Sequence, residues 1–124
     1  MDIQFNNLRQ EKDAVGVIFC DNKCRLIGYG KKLDQLSKKY ISNIIKADTS
    51  FQVRNSKNFD YSIIHQPLNL KLQKVYVFKL KNFKEYQIRD FQILGGHLNS
   101  LIRFYKETAV IVYPMALLHQ KLVH

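Results

Sequence analysis

Long apolar segments are absent from this chain of 124 residues. No run approaches the roughly 20 residues that a helix needs to cross a bilayer, so no membrane span is predicted. Residues 1–5 also lack a positively charged start followed by an apolar stretch, which argues against a secretion signal. We therefore expect a cytoplasmic chain that has no membrane partner.

Cysteine and histidine are scarce. Cys20 and Cys24 stand four positions apart with no second pair, so we expect two thiols in a reducing compartment rather than a disulfide. A structural zinc site needs four ligands, and the four histidines are scattered along the chain: His65, His97, His119 and His124. Neither a disulfide framework nor a metal site is predicted.

Arginine is scarce among the basic residues. Twenty Lys and Arg against ten Asp and Glu give a net charge of +10, which attracts polyanions. Only five of the twenty are Arg, the residue that makes bidentate contacts to bases and phosphates. Abundant Asn and Ile indicate AT-rich codons, which supply lysine without any ligand. Nucleic acid is therefore a partner that the charge allows but does not favour. The expected polyanion patch is the densest lysine cluster: Lys71, Lys74, Lys79, Lys81 and Lys84.

Alternating strand and helix patterns predict one α/β domain. Apolar runs and period-two segments predict five strands, at Ile3–Phe5, Ala14–Cys20, Phe59–Ile63, Lys74–Leu80 and Thr108–Tyr113. Apolar spacings of three and four predict two helices, Lys31–Ala47 and Tyr86–Tyr105. The buried stripe expected on the second helix is Ile88, Phe91, Gly95, Leu98, Ile102 and Tyr105. We expect a mixed, mostly parallel sheet of five or six strands flanked by helices. The domain would span residues 1–114, and residues 115–124 would start a linker or a disordered tail.

No catalytic constellation accompanies these elements. No nucleophile has an evident base and orienting acid, and the P-loop and His-Glu-x-x-His patterns are absent. Gly28-Tyr29-Gly30 lacks the rest of a phosphate-binding fingerprint and is interpreted as a flexible turn before the first helix. Gly95 is interpreted as a close-packing residue, and Cys20 as a small buried apolar residue. We predict no catalytic, cofactor-binding or metal-binding residue in this chain, and hence a binding or interaction domain.

The order of these elements, with particular stretches in them, resembles the N-terminal domain of the leucyl (cytosol) aminopeptidase family. The stretches are Ala14–Phe19, Ile41–Phe51, Tyr61–Pro67, Gln73–Lys81, Ile93–Ile102 and Ala109–Val112. The second helix carries the paired glycines Gly95-Gly96 that the family has there. The resemblance departs at residues 78–82, where this chain has Phe-Lys-Leu-Lys-Asn and the family strand usually ends in glycines.

The resemblance implies a macro-domain-like fold and a non-catalytic accessory role in assembly, substrate access or partner binding. The parent enzyme would remove N-terminal residues from peptides as a hexamer. Its two divalent ions, zinc or manganese, would lie in a larger C-terminal catalytic domain that this chain does not contain. Macro domains bind ADP-ribose through glycine-rich loops, and since no such loop stands here, that activity is not expected. The alternative is a stand-alone nucleic-acid- or nucleotide-binding α/β module.

Overall fold

The computed structural model describes residues 2–5, 12–46, 59–81, 83–107 and 109–113. Six strands and three helices follow one another in the described chain. The strands are β1 (Asp2–Phe5), β2 (Val15–Cys20), β3 (Leu26–Ile27), β4 (Phe59–His65), β5 (Lys74–Leu80) and β6 (Ala109–Val112). The helices are α1 (Tyr29–Leu36), α2 (Tyr40–Ile45) and α3 (Ile88–Phe104), and a 3-10 turn spans Phe83–Glu85.

The six strands form one sheet in the order β1-β6-β2-β5-β4, with β3 also paired to β2. Parallel pairing joins β1 to β6, β6 to β2, and β2 to β5. The other two pairs, β4 with β5 and β3 with β2, are antiparallel. The predicted mixed, mostly parallel α/β sheet is therefore confirmed.

Strand β3 was not predicted, and it completes one side of β2. Strand β6 pairs with β2 only from Val15 to Val17, and the Tyr113 N–H donates to the Val17 carbonyl at 2.9 Å. Beyond that point β3 takes over on the same side, pairing with Phe19 and Cys20. The hairpin from β2 to β3 therefore supplies hydrogen-bonding partners to the last backbone groups of β2, which the short β6 does not reach.

Two apolar layers cover the two faces of the sheet, as the two-residue side-chain period of strands requires. One face carries Ile18, Val77 and Ile111 against Leu33 of α1 and Ile41 and Ile45 of α2. The other face carries Val17, Phe78 and Val112 against Leu94 and Ile102 of α3. Helices on both faces explain why every residue of β2 is buried, as its unbroken apolar sequence predicts.

The predicted single helix over Lys31–Ala47 is wrong, because the structure breaks it into α1 and α2. Between them, Lys38 and Lys39 take positive φ values of 55° and 63°. The Ser37 hydroxyl donates to the Asp34 carbonyl at 2.8 Å, and the Asp34 carboxylate accepts the Ser42 N–H at 2.9 Å. Short polar side chains thus offer the backbone alternatives to helical hydrogen bonds, and the helix restarts three residues later.

The predicted buried stripe of α3 is partly wrong. Phe91, Leu98 and Tyr105 pack against the sheet as expected, but Ile88 is 76% exposed. Gly95 is also exposed, and a Cβ added to it would meet nothing within 4 Å. The structure instead buries Leu94, since the stripe runs through positions 91, 94, 98, 102 and 105. Gly95 therefore has no close-packing role among the described residues.

The sequence also predicts a loop over residues 49–58, and both this loop and the predicted tail at 115–124 lie outside the described residues. None of the described helices is long and apolar enough to cross a membrane.

Candidate functional site

The carboxyl ends of the parallel strands β2 and β5 lie side by side in the sheet, with Cys20 opposite Lys79. Strand β2 leads into the turn at residues 21–25, and β5 leads into the turn Phe83–Glu85. Helix α1 begins shortly after β3, on the same edge. Open α/β sheets bind ligands at this edge, where loops from adjacent strands meet.

Asp21, the first residue after β2, holds the turn that follows. One of its carboxylate oxygens accepts the backbone N–H groups of Lys23 and Arg25, each at 2.9 Å. The other oxygen accepts the Arg25 Nε–H at 2.8 Å. Partial burial raises the pKa of Asp21, but these N–H donors and the guanidinium charge outweigh it, so the pKa lies below its ordinary value. The carboxylate therefore stays ionised and fixes the direction of the Lys23 and Arg25 backbone.

Helix α1 begins against the sheet without a side chain in the way. Gly28 has φ 63° and precedes the helix, a conformation that glycine adopts at low cost. A Cβ on Gly30 would approach the Ile18 Cβ to 3.2 Å, so this glycine lets the first turn lie close to β2. Gly28-Tyr29-Gly30 is therefore only in part the predicted turn, because Tyr29 and Gly30 already belong to the helix.

These elements enclose a cleft of about 610 Å³, a size common for sites that hold small molecules. Its floor includes Leu26, Ile27 and Gly28, which lie between the turn after β2 and the start of α1. Six charged side chains line it, two acidic and four basic: Asp21, Lys23, Arg25, Lys31, Lys84 and Glu85. The lining thus carries an excess of positive charge contributed by three separate elements.

The five lysines of the predicted polyanion patch do not share one surface. Lys74 begins β5 and shares the face of α3 with Tyr76, whereas Lys79 lies on the opposite face and is 8% exposed. Lys71 precedes β5 and Lys81 follows it, so about 20 Å separates them along the strand direction. Only Lys84 of the five lines the cleft. The cluster is dense in sequence but dispersed in space.

Two of those lysines neutralise buried carboxylates, which their sequence positions did not reveal. The Lys81 ammonium lies 3.1 Å from Oδ1 of Asp60, a residue that is 2% exposed and stands opposite Lys79 in the β4–β5 ladder. The Lys74 ammonium lies 2.7 Å from Oε2 of Glu107, just before β6. Both pairs hold the sheet and its connections together.

The Lys74–Glu107 pair belongs to a tyrosine cluster under the end of α3, at the amino edge of the sheet. The Tyr76 hydroxyl donates to the Glu107 carboxylate. The Lys74 ammonium lies 5.4 Å from the ring centre of Tyr105 and 5.8 Å from that of Tyr76, within cation–π range. Burial, and then the Glu107 carboxylate, raise the pKa of Tyr76 above its ordinary range. Burial, with a hydrogen bond to Tyr105, raises the pKa of Tyr61 to about 12.

Alkaline pH is expected to destabilise the domain through these tyrosines. Burial, with the Asp90 charge, also raises the pKa of Tyr86 to about 12. In the unfolded chain tyrosine loses its proton near pH 10. The stabilisation of the fold by the buried, protonated tyrosines is therefore complete below about pH 10 and declines as the pH rises toward 12. Urea unfolding at a series of pH values should show a falling midpoint above about pH 10, with a shallower fall in Tyr86→Phe. A midpoint that stays constant through this window would contradict the burial of these hydroxyls.

Other sequence-predicted candidates offer no chemistry of their own. Cys20 is fully buried, as predicted, and both Cys20 and Cys24 carry thiols rather than a disulfide. His97 lies on the exposed side of α3. Within the described ranges, no three His, Cys, Asp or Glu side chains come close enough together to hold a metal ion.

The cleft was missed at the sequence level because two distant segments form it, residues 21–31 and residues 84–85. The signals for the first segment were present, in the turn residues Asp21-Asn22-Lys23 and in Gly28 before a basic first helical turn. This first segment lies beside Lys84 because β2 and β5 are neighbours in the sheet, and the sequence does not reveal that strand order.

No family model matches the chain, and no curated protein matches it.

Proposed function

We propose that the chain is a non-catalytic accessory domain of the leucyl aminopeptidase type, with a role in assembly, substrate access or partner binding. The observation that carries the proposal is the order of elements. The buried strand β2 is followed by helices α1 and α2 and then by the paired strands β4 and β5. Helix α3, which carries Gly95-Gly96, then leads to the last parallel strand, β6. The resemblance in sequence rests on this order, and macro-domain-like architecture is part of the same proposal.

Under this proposal the chemistry belongs to a catalytic domain outside this chain. That domain would hold the two divalent ions, and the parent would assemble as a hexamer in the cytoplasm. This chain would contribute a surface. Its outer α3 face is the best candidate, because it exposes large apolar side chains, of which Phe104 contacts the adjacent Tyr105 ring and still stays largely exposed. Ile93 is 37% exposed and Phe104 is 75% exposed, and Gly96 and Ser100 lie between them on one side of the helix.

The decisive measurement is association with the catalytic domain of a leucyl aminopeptidase whose own N-terminal domain has been removed. Sedimentation of the mixture should show a complex that also contains this chain. Phe104→Ser should weaken it, because the substitution removes an exposed apolar contact. Leu68→Ser is the matched control, since Leu68 is 51% exposed in the loop between β4 and β5, whose Leu70 and Leu72 pack in the layer of α1 and α2 rather than that of α3. Both sites are exposed, so neither variant should lose its fold.

The purified chain alone should release no p-nitroaniline from leucine p-nitroanilide in the presence of manganese. Activity that stays with the chain through further purification would overturn its non-catalytic role. Failure of the wild-type chain to associate with the catalytic domain would overturn the accessory role itself. Equal weakening by Phe104→Ser and Leu68→Ser would reject the outer α3 face as the contact.

A further inference from the structure

We propose that the cleft at the carboxyl edge of the sheet binds a small phosphorylated molecule. Nothing in the accessory role requires such a ligand, so this inference goes beyond the proposed function. The cleft lies between the turn at residues 21–25, the start of α1 and the turn at residues 83–85. Its charge, its shape and the backbone that borders it each favour a small anion.

The charge of the lining is positive and comes from converging elements. Lys23 and Arg25 come from the turn after β2, Lys31 from the first turn of α1, and Lys84 from the turn after β5. Asp21 is paired with Arg25, whose Nε–H it accepts at 2.8 Å, and Glu85 is the second acidic side chain of the lining. Four basic and two acidic side chains therefore leave a net charge of +2 at the cleft. Cations that face one concave space raise the local concentration of anions and stabilise them there.

The backbone beside these cations also favours an anion. Helix α1 has no acidic residue in its first turn and no side-chain cap at Gly28. The positive end of the helix dipole therefore adds to the charge of Lys31, and no carboxylate in the first turn of α1 opposes it. Gly28 lines the cleft without a side chain, so a ligand can approach the backbone there.

The shape of the site distinguishes a small ligand from a nucleic acid. A volume of about 610 Å³ suits a molecule with one or two phosphate groups. A nucleic acid requires cations along an extended track, and the structure disperses the lysines of β5 between two faces and two edges. The described lining of the cleft includes no aromatic side chain as a platform for stacked bases. Lysine and arginine donors in a confined space instead fit the several acceptor oxygens of a phosphate ester.

Calorimetric titration with inorganic pyrophosphate tests the proposal, together with amide chemical shifts that locate the binding. The wild-type chain should show saturable binding, with shifts concentrated at residues 21–31 and 83–85. Lys31→Gln/Lys84→Gln should bind at least about tenfold more weakly, because two of the three lining cations other than the Asp21-paired Arg25 are lost. Lys12→Gln/Lys46→Gln is the matched control, since it removes the same charge from exposed positions outside the cleft. Thermal unfolding of both variants should confirm an intact fold.

Three results would overturn the proposal. The first is absence of saturable pyrophosphate binding to the wild-type chain. The second is equal weakening in the two double variants, which would show an effect of net charge alone. The third is a single-stranded oligonucleotide that binds more tightly than pyrophosphate and loses affinity equally in both variants, which would indicate a dispersed nucleic-acid surface. None of these results bears on association with a catalytic domain, so the accessory role is judged separately.

Discussion

Replacing Lys74 with methionine is expected to lower the free energy of unfolding by about 3–5 kcal/mol, the range for breaking a buried ion pair. The Lys74 side chain is 14% exposed and that of its partner Glu107 is 7% exposed. In the variant, the Glu107 carboxylate stays in a poorly hydrated place with the Tyr76 hydroxyl as its remaining described donor. Methionine keeps much of the volume against Tyr105, so the loss reports the charge rather than a cavity.

Urea unfolding of a double-mutant cycle measures that interaction. Glu107→Gln alone leaves the Lys74 ammonium buried beside an amide, and it should also destabilise the domain. The double variant Lys74→Met/Glu107→Gln should lose less than the sum of the two, by about 0.5–3 kcal/mol, because no uncompensated charge remains. Lys12→Met, at an exposed position, is the control and should stay within about 0.5 kcal/mol of wild type. A Lys74→Met variant as stable as this control would refute the buried pair.

Lys74 also shows that sequence periodicity predicts the face of a strand residue but not its partner. Its parity within β5 matches that of the buried Tyr76 and Phe78, so the pattern does place it on a covered face. The net charge pointed instead to a surface role. The partner Glu107 lies just before β6, and the two meet only because β5 and β6 flank β2, where Val15 stands opposite Lys74 on one side and Val110 on the other. Pairings of this kind follow from strand order, which periodicity does not report.

The strands were predictable because their signal is local and strong. Strand β5 has the predicted bounds. Strand β2 begins one residue later than predicted, and β6 spans Ala109–Val112 within the predicted Thr108–Tyr113. The break between α1 and α2 was not predictable, because the helical apolar spacing of Leu33, Leu36 and Tyr40 continues through it. The helix breaks there because the Asp34 carboxylate accepts the Ser42 N–H and the Ser37 hydroxyl donates to the Asp34 carbonyl, and hydrophobic periodicity does not report these hydrogen bonds. Strand β3 has two residues, too few to give a periodic signal.

The cleft and the paired glycines illustrate opposite errors. The cleft was missed because its segments are distant in sequence, although each carries turn or glycine signals. The sequence predicts a packing role for Gly95 because it lies near an apolar stripe, yet its surroundings among the described residues are open. Gly30 at the start of α1 and Gly16 in β2 do allow close packing, and an unbroken apolar run conceals the second of them. Glycine marks a close approach only when the neighbouring element is known.

Adding a methyl group at Gly16 and at Gly95 is therefore expected to change stability in opposite directions. A Cβ at Gly16 would lie 3.0 Å from Leu72 Cδ1 and 3.0 Å from Tyr113 Cε2. Tyr113 is fully buried and Leu72 is 5% exposed, so neither can move aside without disturbing the core. Gly16→Ala should destabilise the domain by about 1–3 kcal/mol, the cost of overpacking, and Gly16→Val by more.

Gly95→Ala is the matched control, the same methyl group placed where no described atom outside the local backbone of α3 lies within 4 Å. In the interior of α3 it should stabilise the domain by about 0.5–1 kcal/mol, because alanine loses less backbone entropy than glycine on folding. Urea unfolding midpoints with unchanged slopes would measure both effects. A destabilising effect of Gly95→Ala would mean that α3 packs at Gly95 against a surface that is not among the described contacts. If instead Gly16→Ala were neutral, Leu72 and Tyr113 could not lie where the structure places them.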